Sequence, residues 1–110
     1  MTETDVQNKR KAYRKACLMV VDFTIKDRFY SGCIKDISVD GAFIESHYHG
    51  SIGDEIQLTF SNPDISKPIK LTGNVRRISL DGFGVKFYKY HSSQNQTLEV
   101  LVDRIKGGWI

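Results

Sequence analysis

Two short patterns carry the side chains best suited to holding an anionic or base-bearing ligand. In Arg10-Lys11-Ala12-Tyr13-Arg14, two guanidinium groups stand four residues apart. Each can fork two parallel hydrogen bonds onto a phosphate or onto a purine O6/N7 edge, or lie flat on an aromatic face. A lysine does none of these planar tasks well. In Asp36-Ile37-Ser38-Val39-Asp40-Gly41 a carboxylate can accept from the N–H edge of a base, and a hydroxyl can bond base or phosphate. Gly41, lacking Cβ, lets backbone and ligand come close. Each pattern also has a plainer reading. Arginines at this spacing occur in any solvated basic arm, and Asp, Ser and Gly are common turn residues that bond nearby backbone.

Other chemistry-bearing residues lead less far. Arg76 and Arg77 are adjacent within a strand-like run, so their side chains are expected on opposite faces. Arg76 is expected to share the outer face with Asn74, and Arg77 is carried as a further candidate ligand contact. His47 and His49 lack a third and fourth partner in range, so no metal is expected. Cys17 and Cys33 form no CxxC and each lies in an apolar stretch, where a free cysteine acts as a small core residue. No nucleophile elbow, phosphate loop or acid–base cluster is visible, so the chain is not read as an enzyme and no cofactor is expected.

These residues must be positioned by a chain of 110 residues, enough for one domain. The net charge of +3 is local. Residues 1–15 hold Lys9, Arg10, Lys11, Arg14 and Lys15 against Glu3 and Asp5, and the rest of the chain is balanced. A face that tracks a nucleic-acid duplex needs a broad basic patch. An excess confined to one arm favours a small anionic ligand instead. The longest apolar run, Ala16–Val21, is far shorter than the roughly 20 residues of a membrane helix. The polar opening Met1-Thr-Glu-Thr-Asp5 has no apolar signal core. The expectation is a cytoplasmic protein without membrane insertion, monomeric or weakly dimeric.

From about residue 16 the pattern is that of short strands between turns. Cys17, Met19, Val21, Phe23 and Ile25 alternate with Leu18, Val20, Asp22 and Thr24, as a half-buried strand requires. Asp27-Arg28 is read as a turn and Phe29–Ile37 as the returning strand. Asp40-Gly41 is read as a tight turn using glycine's access to positive φ, followed by a strand over Ala42–Ser46. Further strands are expected over Glu55–Phe60, Ile69–Ile78 and Phe83–Tyr88, the last after Asp81-Gly82. Gly73 and Gly84 inside strands suggest bends or bulges. No internal repeat or linker is evident. Leu98, Leu101, Val102 and Ile105 make a helical stripe, with Ser93 and Gln96 as its capping box. The fold class is mainly β: a six-stranded antiparallel barrel with a C-terminal helix over 16–110, preceded by a flexible basic arm over 1–15.

With both patterns in this order, the chain resembles the PilZ domain family of bacterial cyclic di-GMP receptors. That family carries RxxxR just before its first strand and D/NxSxxG between the second and third. Gly73-Asn74-Val75 and Gly82-Phe83-Gly84-Val85-Lys86-Phe87 are similar to its closing strands. The resemblance covers roughly residues 10–105 and implies contacts to cyclic di-GMP from Arg10, Arg14, Asp36, Ser38 and Gly41. Lys9 stands where many relatives have arginine, a position that helps decide whether one ligand or two intercalated copies bind. Lysine keeps the charge and loses planar stacking, so the ratio stays open.

The resemblance further implies that the arm folds over the barrel's outer face on binding and that the signal passes to a partner protein in motility, adhesion or exopolysaccharide control. A ligand-independent protein adaptor is the alternative. A small barrel binding single-stranded nucleic acid is a third reading, with Phe29, Tyr30 and Tyr88-Lys89-Tyr90 as its only hints.

Overall fold

The computed structural model describes residues 15–62, 67–88 and 98–103. Six strands follow in chain order: β1 (Lys15–Ile25), β2 (Arg28–Ile37), β3 (Gly41–Glu45), β4 (Glu55–Phe60), β5 (Ile69–Ile78) and β6 (Gly82–Phe87). They close into a barrel in the order β1-β2-β3-β6-β5-β4, every neighbouring pair antiparallel. A short helix over 98–103 follows. The sequence pattern anticipates all six strands to within a residue or two. The alternation works because a strand turns successive side chains to opposite faces.

Phe23, Ile34, Ile44, Leu58, Val75 and Phe83 are among the fully buried residues that fill the barrel from all six strands. Leu98, Leu101 and Val102 of the helix join that core, as the helical stripe predicts. Ile105 and the capping pair Ser93 and Gln96 lie outside the described residues. In β1 the expected inward face is kept by Val21, Phe23 and Ile25, with Cys17 and Met19 partly buried against the core. The alternating Leu18 and Val20 are 71% and 73% exposed. Both cysteines are free and partly buried.

Three expectations need correction. The β1–β2 turn is Lys26-Asp27 rather than Asp27-Arg28, since Ile25 pairs directly with Arg28. Both turn residues have positive φ (52° and 65°), the two-residue hairpin geometry that matches strand twist. Second, Gly41 needs no positive φ; among the described glycines only Gly50 and Gly53 have it. Gly41 already opens β3, and a Cβ there would run into the Val85 carbonyl oxygen of β6. Third, there is an internal repeat. Ile37-Ser38-Val39-Asp40-Gly41 and Ile78-Ser79-Leu80-Asp81-Gly82 fold alike: Ser38 N–H donates to the Gly41 carbonyl at 2.8 Å and Ser79 N–H to that of Gly82 at 2.9 Å. A Cβ on Gly82 would meet the Ile44 carbonyl as one on Gly41 meets that of Val85. Five residues escape notice as a repeat until the β3–β6 pairing sets the two hairpins side by side.

Candidate functional site

The β2–β3 turn is held from within by Ser38. Its hydroxyl accepts from the Asp40 and Gly41 N–H groups at 3.1 and 3.3 Å and donates to the Gly41 carbonyl at 3.5 Å. At 2% exposed, Ser38 is the one buried polar side chain among the described residues. Its donor and acceptor capacity is spent on the turn, which fixes where the backbone of Asp40 and Gly41 lies. The Asp40 carbonyl in turn accepts from Phe87 N–H at 2.8 Å, tying the turn to the end of β6.

Asp36 stands one step before the turn, partly buried. Its neighbours Ile34 and Ile37 both point into the core. The odd spacing is accommodated by a bulge at Lys35, which leaves Asp36 opposite Phe43 on β3. On its other side Asp36 faces Ala16 of β1. Phe43 lies between the buried Ala42 and Ile44, so alternation turns its ring outward, where it is partly exposed. Sequence reasoning missed Phe43. Its signal was available: a large aromatic in the outward phase two residues after the Asp-Gly turn.

Phe43 pairs next with Gly84 on β6, and Gly84 with Arg77 on β5. Here the expectation of opposite faces for Arg76 and Arg77 fails. A bulge between Val75 and Arg77 sets both arginines against Gly84, so the strict alternation is broken and both are exposed. Arg77 leans over Gly84, where a Cβ would sit 3.1 Å from its Cγ. Its guanidinium carbon comes to 6.0 Å from the centre of the Phe43 ring. One row across four strands therefore holds a carboxylate, an aromatic face, a bare glycine and a guanidinium. In the row beside it, Asn74 pairs with Lys86, and its Oδ1 has no hydrogen-bond partner among the described residues.

Lys9, Arg10 and Arg14 lie outside the described residues. The register nonetheless fixes where their segment is attached. β1 opens with Lys15 opposite Ile37 and Ala16 opposite Asp36. Lys15 thus lies beside the Asp36–Gly41 turn, and the sequence separation puts Arg10 within about 18 Å of contour from it.

Cys17 lies close to this row, its thiol 3.7 Å from the Ile34 carbonyl. Burial first, then the Asp36 and Cys33 charges, push its pKa from 9.0 up to about 11. The thiolate fraction at pH 8 is then roughly 100-fold lower than in an unfolded chain. Alkylation of Cys17 in a Cys33→Ser background is expected to be slower by about that factor in buffer than in urea. Equal rates would contradict the placement. Among the described residues no group of three or more His, Cys, Asp or Glu is placed to hold a metal ion. No described helix is long and apolar enough to cross a membrane.

A closed six-stranded antiparallel barrel with a Ser-braced β2–β3 turn beside the start of β1 defines a small β-barrel domain. The chain belongs to the PilZ domain family, whose pattern it matches over residues 8–104. Solved structures agree at the level of fold. The PilZ domain of CeSA from a cellulose-synthesising bacterium superposes with a TM-score of 0.71 at 14% identity, covering 82% of this chain and 94% of that one. The PilZ domain of YcgR from Escherichia coli, solved with c-di-GMP, gives 0.74 at 11% identity, covering 89% and 92%. The Bacillus subtilis inhibitor of motility MotI/DgrA gives 0.74 at 16% identity, with 87% of this chain matched to 50% of that protein. No curated protein sequence matches the chain.

Proposed function

We propose that this chain is a cyclic di-GMP receptor that relays ligand binding to a partner protein. The observation that supports the reading is the β1 register: β1 opens with Lys15 opposite Ile37 and Ala16 opposite Asp36, so the strand that follows Arg10 and Arg14 in sequence starts beside the Ser38–Gly41 turn. Family membership and the YcgR domain solved with c-di-GMP support the choice of ligand. In this reading Arg10 and Arg14 fork onto phosphate or guanine, Asp36 accepts from the guanine N1–H and N2–H₂ edge, and Gly41 leaves room for close approach. Ser38 contributes by bracing the turn; a direct contact from its hydroxyl requires the turn to open. Lys9 adds charge at the arm's entry.

Binding folds the arm that precedes β1 over the outer face of the barrel, so the free and bound forms present different surfaces to a cytoplasmic partner. The nucleic-acid reading gains nothing: the Tyr30 ring is stacked 4.0 Å from that of Tyr48 and 5.5 Å from that of Phe23, and so is not a free platform. An amide NMR titration with cyclic di-GMP tests the proposal. The expected shifts fall on residues 9–16, Asp36–Gly41, Phe43 and Gly84, while Ile56 and Leu58 on the opposite wall stay still. A spectrum unmoved by excess ligand would favour the ligand-independent adaptor.

A further inference from the structure

The short repeat extends beyond its five residues. A shift of 41 positions carries Asp36 onto Arg77, Ser38 onto Ser79, Gly41 onto Gly82 and Phe43 onto Gly84. It also carries the bulge at Lys35 onto the bulge at Arg76. The β3–β6 pairing obeys the same relation: Ala42 pairs with Val85 and Ile44 with Phe83, on either side of the Phe43–Gly84 pair. The two hairpins are therefore related by a local pseudo-twofold centred on Phe43 and Gly84. Identical side chains in the two halves would give a symmetric face. The substitutions make it asymmetric, with Asp36 at one end of the row and Arg77 at the equivalent place at the other.

Gly84 stands where the symmetry would put a second aromatic ring, and the absent side chain makes room for the Arg77 stem: a Cβ there would sit 3.1 Å from Arg77 Cγ and 3.2 Å from its Nε. Arg77 reaches across Gly84 and stops 6.0 Å above the Phe43 ring centre. That separation is too wide for direct stacking, where atoms meet at roughly 3.5–4.0 Å. It is close to the roughly 7 Å needed for a flat group in contact on both faces. Arg77 is exposed and makes no ion pair with a described residue, so a small swing of its side chain supplies the difference.

Resting on the receptor reading above, we propose that Phe43 and Arg77 form a clamp for one guanine base of the ligand: Phe43 is the floor, Arg77 the roof, and Gly84 the clearance. Asp36 borders the floor and reads the base's donor edge. Stacking on Phe43 favours any base, since every base has a π-face, and the carboxylate supplies the preference for guanine. The roof needs a planar cation; an ammonium on a flexible stem does not cover a base in the same way.

The test is calorimetric binding of cyclic di-GMP to the wild type and to Phe43→Leu, Phe43→Tyr, Arg77→Ala and Arg77→Lys, each checked for folding by circular dichroism. Phe43→Leu is expected to weaken binding about tenfold or more and Phe43→Tyr to restore most of it. Arg77→Ala and Arg77→Lys are expected to weaken it similarly, because charge alone does not make the roof. Folded Phe43→Leu and Arg77→Ala proteins with wild-type affinity would overturn the clamp while leaving the receptor reading intact. A wild type that binds no cyclic dinucleotide would instead overturn the receptor reading. Titration with guanosine monophosphate, read on the Phe43 ring protons, then judges the clamp alone: upfield shifts lost in Arg77→Ala support it, and unmoved rings overturn it.

Discussion

Gly41→Ala is expected to destabilise the barrel by about 3 kcal/mol, lowering the melting temperature by roughly 10–20 °C for a domain of this size. The added methyl group would run into the Val85 carbonyl oxygen, part of the β6 backbone rather than a side chain that can swing aside. Relief requires β3 and β6 to separate along a ladder that runs from Gly41–Lys86 to Glu45–Gly82. The same shift displaces the Ser38 turn, whose amide hydrogen bond ends on the Gly41 carbonyl. The local repeat makes a second, independent demand. Gly82→Ala meets the Ile44 carbonyl in the same way and is expected to cost about as much. Thermal melts of the two variants check both statements, and a Gly41→Ala protein that melts with the wild type would contradict the register.

Arg14→Ala is expected to weaken cyclic di-GMP binding by about 100-fold while leaving the melting temperature of the free protein unchanged. A guanidinium forked onto phosphate or guanine makes charge-assisted bonds worth about 1.5–3 kcal/mol. Its loss leaves the ligand's acceptors unmatched. Arg14→Lys keeps the charge but loses the fork and the plane, and is expected to recover only part of the loss. The contrast with Gly41→Ala is informative, since one variant removes a contact and the other the platform beside which the contact is made.

Much of this fold is readable from residue patterns because the barrel is built from alternation. Val21, Phe23 and Ile25 point inward and Leu18, Val20 and Asp22 outward, as their order along β1 requires. Alternation fails as a guide where a bulge adds a residue. Arg76 and Arg77 differ from the expected arrangement for that reason, and Asp36 keeps its outward placement only because Lys35 bulges. The Asp36-x-Ser38-x-x-Gly41 pattern is legible as a turn, yet the division of labour within it is not. Only the packed structure shows that the Ser38 hydroxyl faces its own backbone and that Gly41 answers to a carbonyl on β6. Phe43 was hidden for a different reason: a single outward aromatic acquires meaning only from its neighbours across the sheet. Asp36, Gly84 and Arg77 are brought beside it by pairings between residues up to 41 positions apart.

The most direct test of the account is a calorimetric titration of cyclic di-GMP into the wild-type chain, with Arg14→Ala alongside. Saturable binding at micromolar or tighter affinity, lost in the variant, is the predicted result, and the molar ratio then reports whether Lys9 permits one ligand or two. A folded wild-type protein that takes up no ligand at any ratio would contradict the account.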